Sequence, residues 1–260
     1  MNESQYLAAY EEHLRTRSEV RGAAQTARLG PLWLALFPGG SGFVTYRDLG
    51  GTPAVELPAL ISEALRYFVA SSVRHVEWKT RGHDQAPGLH EALLDHGFKP
   101  QEPESIMIGE LKNLAVDVAL PAGVIVQRVQ AEPDVRAVSA LQDSVFGGEV
   151  SQANADSLVH RVVQDDQMEL WAARAGGEFV AAGRLELVVG TPFAGLWGGV
   201  TRADWRGRGI YRALTAARAR SALECGKTLV NSDSTEFSRP ILERSGLVKV
   251  GTTTPYVRHL

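Results

Sequence analysis

A single cysteine, Cys225, in 260 residues excludes an internal disulfide. It fits a reducing compartment, so a cytoplasmic protein is expected, with Cys225 packing near a helix end rather than acting as a nucleophile. No apolar run reaches the ~20 residues that span a bilayer. The opening Met-Asn-Glu-Ser-Gln-Tyr has neither the basic flank nor the apolar core of a signal peptide. Neither sign of charge dominates: 27 Lys and Arg stand against 30 Asp and Glu, for a net charge of −3. Such a balance gives no general attraction to nucleic acid or to an anionic membrane, and neither is expected as a partner. The seven histidines show no ligand spacing. His90-Glu91 lacks the second histidine of a zinc-protease helix, and no metal is expected. There is no Gly-x-Ser-x-Gly elbow and no glycine loop ending in Lys-Ser/Thr. What the chain has is 44% hydrophobic residues over a length that suits two modest domains.

Residues 206–211 read Arg-Gly-Arg-Gly-Ile-Tyr and open an Ala-rich helix predicted from about Gly209 to Cys225. The strand-like run Phe193 to Thr201, with Gly198-Gly199 inside it, lies just before. Strand, glycine turn and helix start together make an anion site. The first helical amides lack intrahelical acceptors, the dipole is positive there, and Arg206 and Arg208 add charge. A surface turn rich in Gly and Arg is the plain alternative.

The surrounding order narrows the choice. Val124–Val129 alternates as a strand, and Val135–Val145 and Ala155–Val163 have helical spacing. Glu169–Ala175 and Glu178–Val189 flank a Gly176-Gly177 hairpin turn. After the arginine loop and its helix, with Arg218 and Arg220 placed toward its negative end, come a strand at 228–232, a helix at 236–245 stopped by Gly246, and an extended tail. Arg206, Gly209 and this element order over residues 123–260 resemble the GCN5-related N-acetyltransferases (GNAT family), whose acyl-CoA loop is written Arg/Gln-x-x-Gly-x-Gly/Ala. Tyr211 departs from that pattern, and Leu242 stands where the family has a tyrosine that protonates the leaving thiolate.

The resemblance implies acetyl-CoA as cosubstrate. Arg206, Gly207, Arg208, Gly209, Ile210 and Tyr211 would hold its pyrophosphate, Val200 and Thr201 would offer backbone to the pantetheine arm, and Thr235 and Ser238 would contact the same arm. It implies transfer of acetyl to a primary amine of a small molecule; the alternative is a non-catalytic CoA-binding protein of the same fold. An ammonium with a pKa of about 10.4 must lose a proton before it attacks. Glu186 is one candidate base, or else the partner of Arg184 two residues away on the same strand face. Asp233 is another, or else a helix N-cap. Tyr256 is the candidate thiolate acid, or else a packing aromatic. Trp197 and Trp205 line the acceptor site or fill core.

Residues 1–111 carry a fainter copy of the plan. Leu57, Leu60, Ile61, Ala64, Leu65 and Phe68 form one helical stripe, and Leu93-Leu94-Asp95-His96-Gly97-Phe98 parallels Leu242-Glu243-Arg244-Ser245-Gly246-Leu247. An unrelated lobe is the alternative. Gly50-Gly51-Thr52-Pro53 replaces the arginine loop, so this copy is expected not to bind acyl-CoA. The expected fold class is α/β (α+β), with two acetyltransferase-like mixed-sheet domains in tandem at 1–111 and 123–260, joined by a linker at 112–122.

Overall fold

The computed structural model describes residues 1–15 and 17–260. They form two compact units, residues 1–106, 233–239 and 249–260, and residues 107–232 and 240–248.

In the first unit, α1 (Glu3–His13) starts from an Asn2–Gln5 capping box. The strands β1 (Gln25–Leu29), β2 (Leu32–Phe37) and β3 (Ser41–Thr45) form an antiparallel meander. The amphipathic helix α2 (Leu57–Ala70) crosses back to β4 (His75–Arg81), which runs parallel to β3. Its stripe buries Leu57, Ile61, Ala64, Leu65 and Phe68 in a core with Trp78 and Leu93. Each of the larger of these side chains contributes up to about 1.5–3 kcal/mol. A short helix, α3 (Leu89–Asp95), precedes β5 (Lys99–Pro100) and β6 (Glu104–Glu110).

In the second unit, the one-turn helix α4 (Leu111–Leu114) is followed by β7 (Val124–Val129), α5 (Glu132–Val145), α6 (Gln152–Gln164), β8 (Met168–Ala175), β9 (Glu178–Leu187) and β10 (Phe193–Thr201). The four strands are an antiparallel meander, with Ala175 opposite Glu178 across the Gly176-Gly177 turn. Helix α7 (Ile210–Glu224) crosses back to β11 (Leu229–Ser234), which runs parallel to β10. Ala213, Ala216, Ala219 and Ala222 are buried on α7. The remaining elements are α8 (Arg239–Arg244) and β12 (Val248–His259).

Both units therefore follow one plan: a meander, a crossover helix, a parallel strand, a short helix. The finishing strands are exchanged. β12, the last strand of the chain, pairs antiparallel with β4 from Thr253↔Arg81 to His259↔His75 and completes the first unit. β6, the last strand of the first half, borders β11, and its residues 107–110 count with the second unit. The units thus depart from a division at 1–111 and 123–260. The expected linker also begins as structure, since Leu111 and Leu114 are buried in the second unit's core. Among the described residues no helix is long and apolar enough to cross a membrane.

Candidate functional site

β10 and β11 separate early. Their parallel pairing covers only Phe193↔Leu229 to Gly195↔Asn231, although β10 runs on to Thr201. On the other side the register with β9 slips between Trp197 and Val200, a bulge at Gly198-Gly199. Gly198 has φ +59, and a Cβ there would lie 2.9 Å from Gln142 Nε2 and 3.0 Å from Arg184 Nη1, so glycine is required on both counts. Gln142 Nε2 donates to Gly198 O at 2.8 Å and fixes the bulge from α5. From α7, the fully buried Arg218 donates to Arg184 O at 3.0 Å, and also to Leu214 O and Thr215 Oγ1. Burial, with a smaller push from Arg184 against an opposing one from Tyr211, lowers its pKa to about 10. Arg218 therefore serves the sheet rather than the helix dipole at its C-terminal end.

The bulged strand leads into the turn before α7. Gly209, at φ +78, is the N-cap and offers no side-chain cap. The first helical bond is Ala213 N–H to Gly209 O, at 3.0 Å. The amides of Ile210, Tyr211 and Arg212 consequently have no acceptor within the helix. Arg206, Gly207 and Arg208 are exposed. Arg206 Nε donates to Thr201 O at 3.1 Å, and the Arg208 guanidinium stacks 4.8 Å from the Trp205 ring centre. A Cβ on Gly207 would meet nothing within 4 Å. Backbone and charge at this turn are thus accessible together. Arg202 is occupied by Glu178 and Asp204.

Ile210 and Val200 have buried side chains, so their amide and carbonyl groups alone are on offer. Thr201 Oγ1 is buried without a hydrogen-bond partner. The Tyr211 ring lies against the bulge, with Cε2 3.1 Å from a Cβ built on Gly199. It lines a small cleft with Leu114, Thr215, Ile241 and Leu242.

Thr235, exposed, and Ser238, half-buried, lie in a turn counted with the first unit, with their hydroxyls 3.3 Å apart. Asp233, in the same segment, is inside β11 and does not cap a helix, because α8 begins only at Arg239. It accepts from Lys79 Nζ at 2.6 Å, within a buried cluster that also holds Glu19 and Arg81. Burial pushes the Lys79 ammonium down, but Asp233 and Glu19 outweigh it and hold the pKa above the usual lysine range. Glu186 accepts from Arg161 Nη2 at 3.0 Å and from Arg184 Nε at 3.2 Å. Burial pushes its carboxyl up, yet Arg161 and then Arg184 more than offset this and hold the pKa below the ordinary range. That makes it an ion-pair partner and a weak base. Tyr256 belongs to the first unit: it pairs opposite Trp78 on β4, its hydroxyl lies 2.7 Å from His90 Nδ1, and it joins the core around Trp78. The strand exchange counts it with the first unit, whereas the arginine loop belongs to the second.

Trp205 packs with the core beneath α7, and Trp197 is half-buried over Gly195. Gln142, Arg161 and Arg218 were not among the expected residues. Gln142 had a visible signal, since it sits four residues after Val138 on the apolar face of α5.

No family profile and no curated protein matches the sequence. Solved structures match over the full chain at low identity. A GCN5-related N-acetyltransferase from Kribbella flavida aligns with a TM-score of 0.68 at 18% identity, covering 98% of this chain and 94% of that one. A conserved protein of unknown function from Staphylococcus epidermidis gives 0.69 at 14%, covering 94% and 97%. A tandem GNAT protein of the clavulanic acid biosynthesis pathway gives 0.62 at 16%, covering 99% and 96%. The fold is that of the GNAT acetyltransferases, full length.

Proposed function

We propose that the protein is an acyl-CoA-dependent N-acetyltransferase, acting in the cytoplasm on a primary amine of a small molecule. The observation that carries this reading is the parting of β10 from β11 beyond Gly195, beside the uncapped start of α7. A freed strand edge suits an extended amide-bearing arm, which pairs as an added strand does, and open helical amides suit a pyrophosphate. Those are the two chemistries of coenzyme A. Its backbone partners would be Val200 and Thr201 for the arm and Gly207 to Tyr211 for the phosphates, with Arg206 and Arg208 adding charge. No comparable arginine turn occurs in the first unit, where Gly50 and Gly51 precede Thr52-Pro53.

Acetyl-CoA supplies the thioester; the chain's residues place it and manage protons. The amine nitrogen attacks the thioester carbonyl, the ammonium proton leaves, and the thiolate is protonated. With Glu186 held ionised by two arginines and Asp233 engaged by Lys79, water or the acceptor itself is the expected route for the first proton. Leu242 offers no acid, whereas the Tyr211 phenol lines the same cleft and is the proton donor we assign to the thiolate. Calorimetry with CoA, and thiol release from acetyl-CoA across a panel of amines, test the reading. One CoA site per chain with amine-dependent thiol release is expected. CoA binding without turnover on any amine would instead favour a CoA-binding protein without acyl transfer, and absence of binding would remove both.

A further inference from the structure

We infer that the amine acceptor also carries a carboxylate, which Arg184 and Arg161 receive on the α5–α6 face of the bulged strand. This rests on the acyl-transfer reading above and narrows its substrate class.

Arg184 and Glu186 alternate onto one face of β9, and Arg161 of α6 reaches the same place. Gly183, between strand neighbours, turns the other way toward Arg218 on α7. Glu186 Oε1 takes one nitrogen from each arginine, Nε of Arg184 at 3.2 Å and Nη2 of Arg161 at 3.0 Å. Much of the donor set remains. The terminal nitrogens of Arg184 have no hydrogen-bond partner among the described residues, and Nη1 lies 3.0 Å from where a Gly198 Cβ would be. Arg161 Nε is buried with no partner. The other carboxylate in reach, Asp165, comes only to 3.8 Å from Arg161 Nη2. Gln142 adds an amide at the bulge.

Both guanidiniums are mostly buried, with side-chain exposures of 25% for Arg184 and 19% for Arg161. Forked donors beside a missing side chain match the two oxygens of a carboxylate, and they repel a substrate whose only polar group is an ammonium. The half-buried Trp197, opposite Arg184 across the strand pair, supplies an apolar floor next to them. An amino acid or a similar small amino-carboxylate combines the required groups.

The test uses the full chain with saturating acetyl-CoA and follows thiol release with alanine, leucine and phenylalanine against their carboxamides. The amide's amine is the less basic of each pair, so intrinsic reactivity at neutral pH favours the amide. A preference for the acid therefore reports recognition of the carboxylate. The expected ratio of kcat/KM, acid over amide, is about a hundredfold. In Arg184→Gln and Arg161→Gln the ratio falls below about tenfold through KM for the acceptor, while calorimetric binding of acetyl-CoA is unchanged. Amides or simple alkylamines reacting as fast as the acids with the unaltered chain overturn the inference and leave acyl transfer standing. Failure of the chain to bind acetyl-CoA at all removes acyl transfer, and this inference with it.

Discussion

Gly209 separates two effects that are usually mixed. It holds φ +78, and a Cβ there would touch Ala119 O and Val118 Cγ1 at 3.6 Å, which is ordinary contact. Gly209→Ala therefore costs backbone strain and little else, about 1–2 kcal/mol. At roughly 2–4 °C per kcal/mol for a chain of this size, the melting temperature should fall by about 2–8 °C. Gly209→Glu carries the same strain but sets a carboxylate at the positive end of α7, where it recovers about 0.3–1 kcal/mol in the empty protein. With a diphosphate at the α7 amides that same charge is repulsive. Two anions about 5 Å apart at an effective dielectric near 20 oppose each other by about 3 kcal/mol before salt screening, so a ten- to hundredfold loss of CoA affinity is expected. The two variants must then rank in opposite orders. Gly209→Glu should melt at or above Gly209→Ala and yet bind CoA more weakly. Differential scanning calorimetry and titration calorimetry on the same samples decide it. Equal CoA affinity in the two variants would refute the placement of phosphate at this helix start.

Gly198→Ala, whose Cβ meets Gln142 and Arg184 within about 3 Å, should re-form the bulge and lower kcat more than it raises KM for acetyl-CoA, as steady-state kinetics would show. Because the Glu186 carboxyl is held low in the folded state, its pairing stabilises the protein above the usual carboxylate range and is lost as pH falls through the lowered value. Urea melts should accordingly find Glu186→Gln about 1 kcal/mol less stable than the parent at pH 7, with the gap closing toward pH 3. Lys79→Met leaves Asp233 and Glu19 buried without their ammonium and should cost about 3–5 kcal/mol by chemical denaturation.

The sequence was most legible where one residue type forces one geometry. Gly176-Gly177 marked the β8–β9 hairpin and Gly209 the start of α7. Periodicity likewise marked the buried stripe of α2. Period-2 alternation, however, tells which face of a strand is buried and says nothing of the neighbouring strand. The extended tail was therefore legible as a strand, while the pairing of β12 with β4, which counts Tyr256 with the first unit, was not. Arg218 misled in another way. A cation late in a helix suits the dipole, but its place one turn beyond Leu214, opposite the side-chain gap at Gly183, buries it against β9. Strand spacing announced the Glu186–Arg184 pair, but Asp233 pairs with Lys79 and Glu186 also with Arg161, residues distant in the chain that no local pattern announces.

The exchanged finishing strands also set an order of events during synthesis. Until residues 248–259 have been made, β4 has β3 on one side and a bare row of amides and carbonyls on the other. The first unit thus waits for residues 248–259 before β4 is paired on both sides, with a pairing between residues as distant as His75 and His259. Contacts of such separation form slowly, and an open central strand is where a nascent chain meets its copies. A chain stopped before β12 would lose the closure of the unit made first, and a stop codon at its far end would be felt at its beginning.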